Sequence, residues 1–250
     1  MDNSGAHTLA ERLMADAEKI TGEELMSLAL HSDIKVRVKV ARRRDCPPDV
    51  AEQLFNDTDW QVLQALAGNP NCPDFLLSEL AQNPDWAVRC EVAINDCCPS
   101  GDFSILAEDD DYAVLEQVAS NPKCPKHLFL QLSVVDDLNV QLACYRNQNC
   151  PLSIVLTGCR DIDGDVQEAC FDNLRSKNSD FWMQELANGL RLDKPEIGGN
   201  PNISFGDKLL ALSLTDVYQQ VQAAELQNAV NSQLRDVKNT DIKAKSVMKL

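Results

Sequence analysis

The chain has 250 residues, 44% of them hydrophobic, enough to bury a substantial core without help from disulfides or a metal. Aromatic residues make up only 5%, and 39 acidic against 23 basic residues give a net charge of −16, which repels nucleic acid and anionic lipid and favours a basic partner. Met1-Asp2-Asn3-Ser4 lacks the basic and apolar regions of a secretory signal, and no apolar run approaches the roughly 18 residues that cross a bilayer, so a cytoplasmic protein without membrane contact is expected.

The first predicted element, His7 to Ile20, is amphipathic, with Leu9, Leu13 and Ala17 at i, i+4 and i+8, and is expected to cover the open end of the core formed by the later helices. Thr21-Gly22-Glu23-Glu24-Leu25 reads as a capped helix start leading to Leu28. From Asp33 the chain repeats every 26 residues. Cys46, Cys72, Cys98, Cys124 and Cys150 are each followed by proline at that spacing. The same register holds for Val36, Val62, Val88, Val114, Val140 and Val166, for Leu28, Leu54, Leu80, Leu106 and Leu132, and for Asp33, Asp59, Asp85, Asp111, Asp137 and Asp163.

Each unit reads as two short helices. In the unit from Asp59, the aspartate caps a helix to Ala67 whose Val62 and Leu66 share a face. Asn69-Pro70 ends that helix, and Pro73 opens a second over Asp74 to Ala81 with Leu76, Leu77 and Leu80 inward. Helices this short depend on burying their apolar faces against neighbouring units. After Cys150 the pattern decays: Gly158 replaces the leucine, Ser176 the cysteine, and a last helix, Asp180 to Leu186, is set out of register.

The expected organisation is a helical-repeat solenoid with terminal caps over 1–187, a Gly/Pro-containing linker over 188–206, and a carboxy-terminal helix with a basic tail over 207–250. In that helix, predicted over about 207–236, Ala223, Leu226, Val230, Leu234 and Val237 form an apolar stripe. The stripe could fold back on the last unit, mediate self-association, or await a partner.

Pro84-Asp85-Trp86-Ala87-Val88-Arg89, then Val92-Ala93 and Cys98-Pro99, resembles the leucine-rich repeat variant family. Asn69-Pro70-Asn71-Cys72-Pro73 with Leu76-Leu77 and Leu80-Ala81 supplies the rest of that family's unit, and the resemblance covers roughly residues 7 to 175. It implies an all-α, right-handed superhelix that alternates one α-helix with one 3₁₀-helix per unit and has no strand. A described member of the family carries an amino-terminal iron–sulfur module, but here the first cysteine is Cys46 and no Cys-x-x-Cys occurs, so no cofactor is expected. The family brings no enzymatic activity with it.

No catalytic site is expected either. His7, His31 and His127 are the only histidines, and no phosphate loop, His-Glu-x-x-His run or nucleophile elbow is present. The Cys-Pro column reads as buried thiols, because helical layers about 8–10 Å apart hold successive members beyond disulfide reach. Cys90, Cys97 and Cys98 are the one close group that metal or redox chemistry could use. The candidate partner surface is an acidic edge flanked by aromatics: Trp60, Asp85, Trp86, Asp109, Asp111 and Tyr112. A local basic run, Lys35, Arg37, Lys39, Arg42, Arg43 and Arg44, is the alternative, as a nucleic-acid contact of a binding or base-modifying repeat protein, although the next units do not continue it. The leading expectation is a non-catalytic scaffold for a protein with a basic surface.

Overall fold

The computed structural model describes Leu9, residues 20–195 and the backbone of 200–247, with side chains to Leu234. The amino-terminal capping helix, His7 and the side chain of Val237 therefore lie outside the described residues, apart from Leu9 and Ile20. Every regular element among the described residues is helical. By internal contacts the chain divides into two compact units, Met1–Asn149 and Cys150–Leu250.

In the first unit, the helices Ile34–Ala41, Trp60–Ala67, Trp86–Ile94, Tyr112–Ser120 and Leu138–Arg146 each pack on the next, as an array of equivalent helices must. Between them run the second helices of the units, Pro48–Phe55, Asp74–Leu80, Asp102–Leu106 and Phe129–Leu132, with Gly22–Ala29 leading the series. The predicted valine and leucine columns are the core: Val62, Val88, Val114 and Val140, and Leu54, Leu80, Leu106 and Leu132 are all fully buried, as are Val40, Leu66, Val92, Val118 and Cys144 at the same 26-residue spacing. This is a helical-repeat solenoid.

The second helices differ from the implied 3₁₀ form. Lys126–Leu128 is the one 3₁₀ segment among the described residues, and the others are short α-helices. Their first turn explains the mixture: the amides of Leu76 and Leu77 both donate to the Pro73 carbonyl, at 2.9 and 3.1 Å, one closing a 3₁₀ turn and the other an α turn.

A ladder of buried asparagines ties successive layers together. Asn69 Nδ2 donates to the carbonyls of Ala41 and Arg43, Asn95 Nδ2 to those of Ala67 and Asn69, and Asn147 Nδ2 to those of Ala119 and Asn121, at 2.6–2.9 Å. Asn121 Nδ2 donates likewise to Ala93, at 2.6 Å. Each Oδ1 also accepts the amide two residues on, in Asn71, Cys97, Lys123 and Asn149. One amide side chain thus satisfies backbone groups that helix ends leave open in two layers.

The second unit holds the helices Leu152–Gly158, Gly164–Arg175, Ser179–Ala187, Phe205–Ala211 and Thr215–Val247. The helix predicted over 207–236 is thus two helices, and backbone helix continues into the segment expected as a tail. The break between them is Ser213, in the left-handed region at φ 58°, where the Leu214 amide reaches back to the Leu209 carbonyl at 2.9 Å. Gly189, at φ 104°, ends the Ser179–Ala187 helix in the same manner, with the Leu190 amide on the Glu185 carbonyl at 3.0 Å. The long helix packs its first third, through Val217, Val221 and Ala224, against the rest of this unit. Trp182, fully buried, donates its Nε1 to Gln220 at 3.1 Å, and Arg175 pairs with Asp216.

Candidate functional site

The acidic edge is built by capping. Asp33, Asp59, Asp85 and Asp111 each accept, at 2.9–3.1 Å, the amide two residues on, in Lys35, Gln61, Ala87 and Ala113. Asp137 accepts from Val140 and Asp163 from Asp165 and Val166. A second column, two residues earlier, holds the caps in place: His31, Asp57, Asn83, Asp109 and Asp161 each accept the cap residue's own amide at 2.9–3.0 Å. Two carboxylates of this column also carry a buried charge. Arg37 Nε meets Asp57 Oδ2 at 2.6 Å and Arg89 Nε meets Asp109 Oδ2 at 2.5 Å, each clamping one repeat to the next. The same guanidinium groups donate Nη1 to carbonyls six residues back, in His31 and Asn83, and the neighbouring carboxylates raise both arginines' pKa.

The edge is therefore less uniform than its composition. Asp109 is almost enclosed by Arg89, whereas Glu108 and Asp110 beside it are exposed. Asp85 and Asp111 are half-buried caps. Directly after the caps, Trp60, Trp86 and Tyr112 occupy the first position of their helices with 45%, 51% and 51% of their surface exposed. Leu138 continues the line at 41%, and it ends at Gly164.

No protein-family model and no curated protein matches this sequence. A solved structure described as a leucine-rich repeat variant with a novel repetitive protein structural motif matches with a TM-score of 0.50 and 24% identity, over 68% of this chain and 75% of that one. The chain has a leucine-rich-repeat-variant-like fold. An engineered protein aligns at 14% identity over 82% of this chain and 98% of its own, with a TM-score of 0.29.

Within the variant-like array the basic run divides. Arg37 is committed to Asp57, and Arg43 pairs with Asp45 at 2.7 Å, its hydrogen bonds holding that carboxyl below its usual range. Lys35, Arg42 and Arg44 are exposed and Lys39 is half-buried. The corresponding positions of the next repeat are Gln61, Ala65, Gly68 and Pro70, so the positive surface stays within one repeat.

All ten cysteines are free thiols. Burial pushes Cys72, Cys98 and Cys124 up to about 12 and Cys46 and Cys90 up to about 11. Cys97 alone of the ten is exposed, its Sγ 3.2 Å from the Pro70 carbonyl oxygen. Cys159 and Cys170, missed as a pair in the sequence, hydrogen-bond thiol to thiol within the second unit, which holds Cys159 down and drives Cys170 up. Among the described residues no three His, Cys, Asp or Glu side chains gather as a metal would require, and no helix is long and apolar enough to cross a membrane. Shallow clefts occur at Glu116, Asn139 and Arg146, about 210 Å³, and at Asp193, Ser204 and Tyr218, about 360 Å³; neither has a histidine or cysteine in its wall.

Proposed function

We propose that this protein is a non-catalytic interaction scaffold whose acidic, aromatic edge binds a protein with a basic surface. The reading rests on one observation: Trp60, Trp86 and Tyr112 stand about half exposed, one per repeat, each directly behind an acidic cap, while the core columns beneath them are filled. Rings held on rigid helices beside carboxylates supply both apolar contact and recognition of cations. The exposed face of the carboxy-terminal helix is a second contact surface. A cytoplasmic setting suits a chain with ten free thiols. Nucleic-acid binding draws less support, since two of the six basic residues are held by carboxylates. A metal or redox role for Cys90, Cys97 and Cys98 draws less as well, because two of the three are buried with raised pKa.

Affinity capture from native extract tests the proposal. The full chain retains a defined basic protein. The Trp60→Ala/Trp86→Ala/Tyr112→Ala chain loses it, and Glu108→Lys/Asp110→Lys weakens it in a salt-dependent way. Equal recovery on wild type and both variants contradicts the reading.

A further inference from the structure

The helix Thr215–Val247 is 33 residues long, about 50 Å at 1.5 Å per residue. In its first third Val217, Val221 and Ala224 are buried, and Glu225 accepts the Leu192 amide at 2.9 Å. From Leu226 to Leu234 the large apolar side chains face solvent. Leu226, Val230 and Leu234 are 65%, 50% and 55% exposed, and at about 100° per residue their ridge is centred about 150° around the helix from the buried stripe. A helical segment with a bare apolar ridge is marginal in water on its own.

Charge narrows what can cover this ridge. Leu226 to Leu234 contains no ionisable side chain, in a chain one quarter charged with a net charge of −16. A basic or acidic partner finds nothing to recognise there, whereas a second copy of this chain, repelled elsewhere, can approach on an uncharged surface. The sequence also has an internal symmetry. In Leu226-Gln227-Asn228-Ala229-Val230-Asn231-Ser232-Gln233-Leu234, leucine mirrors leucine and glutamine mirrors glutamine about Val230. A two-fold interface requires that residue i meet j while j meets i. An antiparallel crossing at Val230 does this, setting Leu226 of each copy beside Leu234 of the other. Residues at i, i+4 and i+8 form the ridge that interdigitates when helices cross at about 50°, a contact that extends only a few turns from the crossing point.

We propose that the protein self-associates as a two-fold, antiparallel dimer through Leu226, Val230 and Leu234, with Val230 at the axis. The proposal rests on the carboxy-terminal helix being a contact surface and is independent of the acidic edge. One helix crossing buries well under the roughly 1,200–2,000 Å² of a stable interface, so the dimer is weak, dissociating in the micromolar range.

Sedimentation equilibrium of the full chain under reducing conditions, from about 1 to about 300 µM, tests this. The average mass rises from 27.7 kDa towards twice that value. Val230→Glu and Val230→Lys each stay monomeric with unchanged circular dichroism, and mixing them restores the dimer. Orientation is read in a Cys97→Ser background, where Leu226→Cys mixed with Leu234→Cys cross-links on mild oxidation and neither does so alone. A wild-type chain that stays at monomer mass, variants that dimerise like wild type, or a mixture that stays monomeric overturns the proposal; cross-linking of Leu226→Cys by itself overturns the antiparallel arrangement. Val230→Glu retains partner capture through the acidic edge, so failure of the dimer and failure of the scaffold reading are told apart.

Discussion

Asn95 makes three hydrogen bonds from a buried position, two to carbonyls of the preceding layer and one from the Cys97 amide. Asn95→Ala leaves those backbone groups unpaired in the core and is expected to lower unfolding stability by about 3 kcal/mol, against about 1 kcal/mol for the cap variant Asp85→Ala. Urea denaturation of both variants checks the order, and equal losses would mean the ladder does not hold the layers. The asparagine column kept the 26-residue period as faithfully as the cysteines, yet Asn69-Pro70 read as a helix stop, so its reach into the previous layer was not apparent in the sequence. The buried thiols give a pH dependence. A thiol with ordinary pKa near 8.5 ionises first in the unfolded chain, while Cys72, Cys98 and Cys124 stay protonated in the fold up to about 12. The folded state then binds more protons, so their stabilisation is complete below about pH 8.5 and falls as pH rises towards 12. The urea midpoint is expected to drop between pH 8 and 10.5, and less steeply when the three are alanine; identical slopes would contradict this.

At the scale of elements, capping and periodicity placed the paired helices correctly, because both are local signals. Helix ends that depend on backbone geometry were less visible. Ser213 occupies a left-handed position that glycine fills at lower cost, as Gly189 does at the end of Ser179–Ala187. Ser213→Gly is expected to raise stability by about 1 kcal/mol and Gly189→Ala to lower it by a similar amount, measured by thermal or urea unfolding; the opposite signs would show that these helix ends are not fixed by backbone conformation. The carboxy-terminal helix carries two apolar stripes, and sequence periodicity singled out the one that faces solvent. Val217, Val221 and Ala224 do the packing, on a face fixed by the partners they meet rather than by the local pattern.

At the scale of the molecule, the acidic run and the basic run looked like opposed free surfaces because composition does not show pairing. Arg37 with Asp57 and Arg89 with Asp109 join neighbouring repeats but recur only in alternate repeats, a period of 52 that single-repeat columns do not show. Asp109→Asn removes the charge partner of the half-buried Arg89 and is expected to cost about 2 kcal/mol, while Asp110→Asn changes stability by less than about 0.5 kcal/mol. Chemical denaturation of the two variants separates an internal clamp from a surface charge, and equal small effects would return Asp109 to the surface. The aromatic line was legible in the sequence because each ring sits at the same register, and the structure adds that the rings are exposed. The scaffold reading stands on that exposure, and acrylamide quenching of tryptophan emission tests it most directly. In the free protein Trp60 and Trp86 are open to quencher and Trp182 is enclosed. Saturation with the captured basic partner is predicted to shield the first two; unchanged quenching with the partner fully bound would place the contact elsewhere and contradict the account.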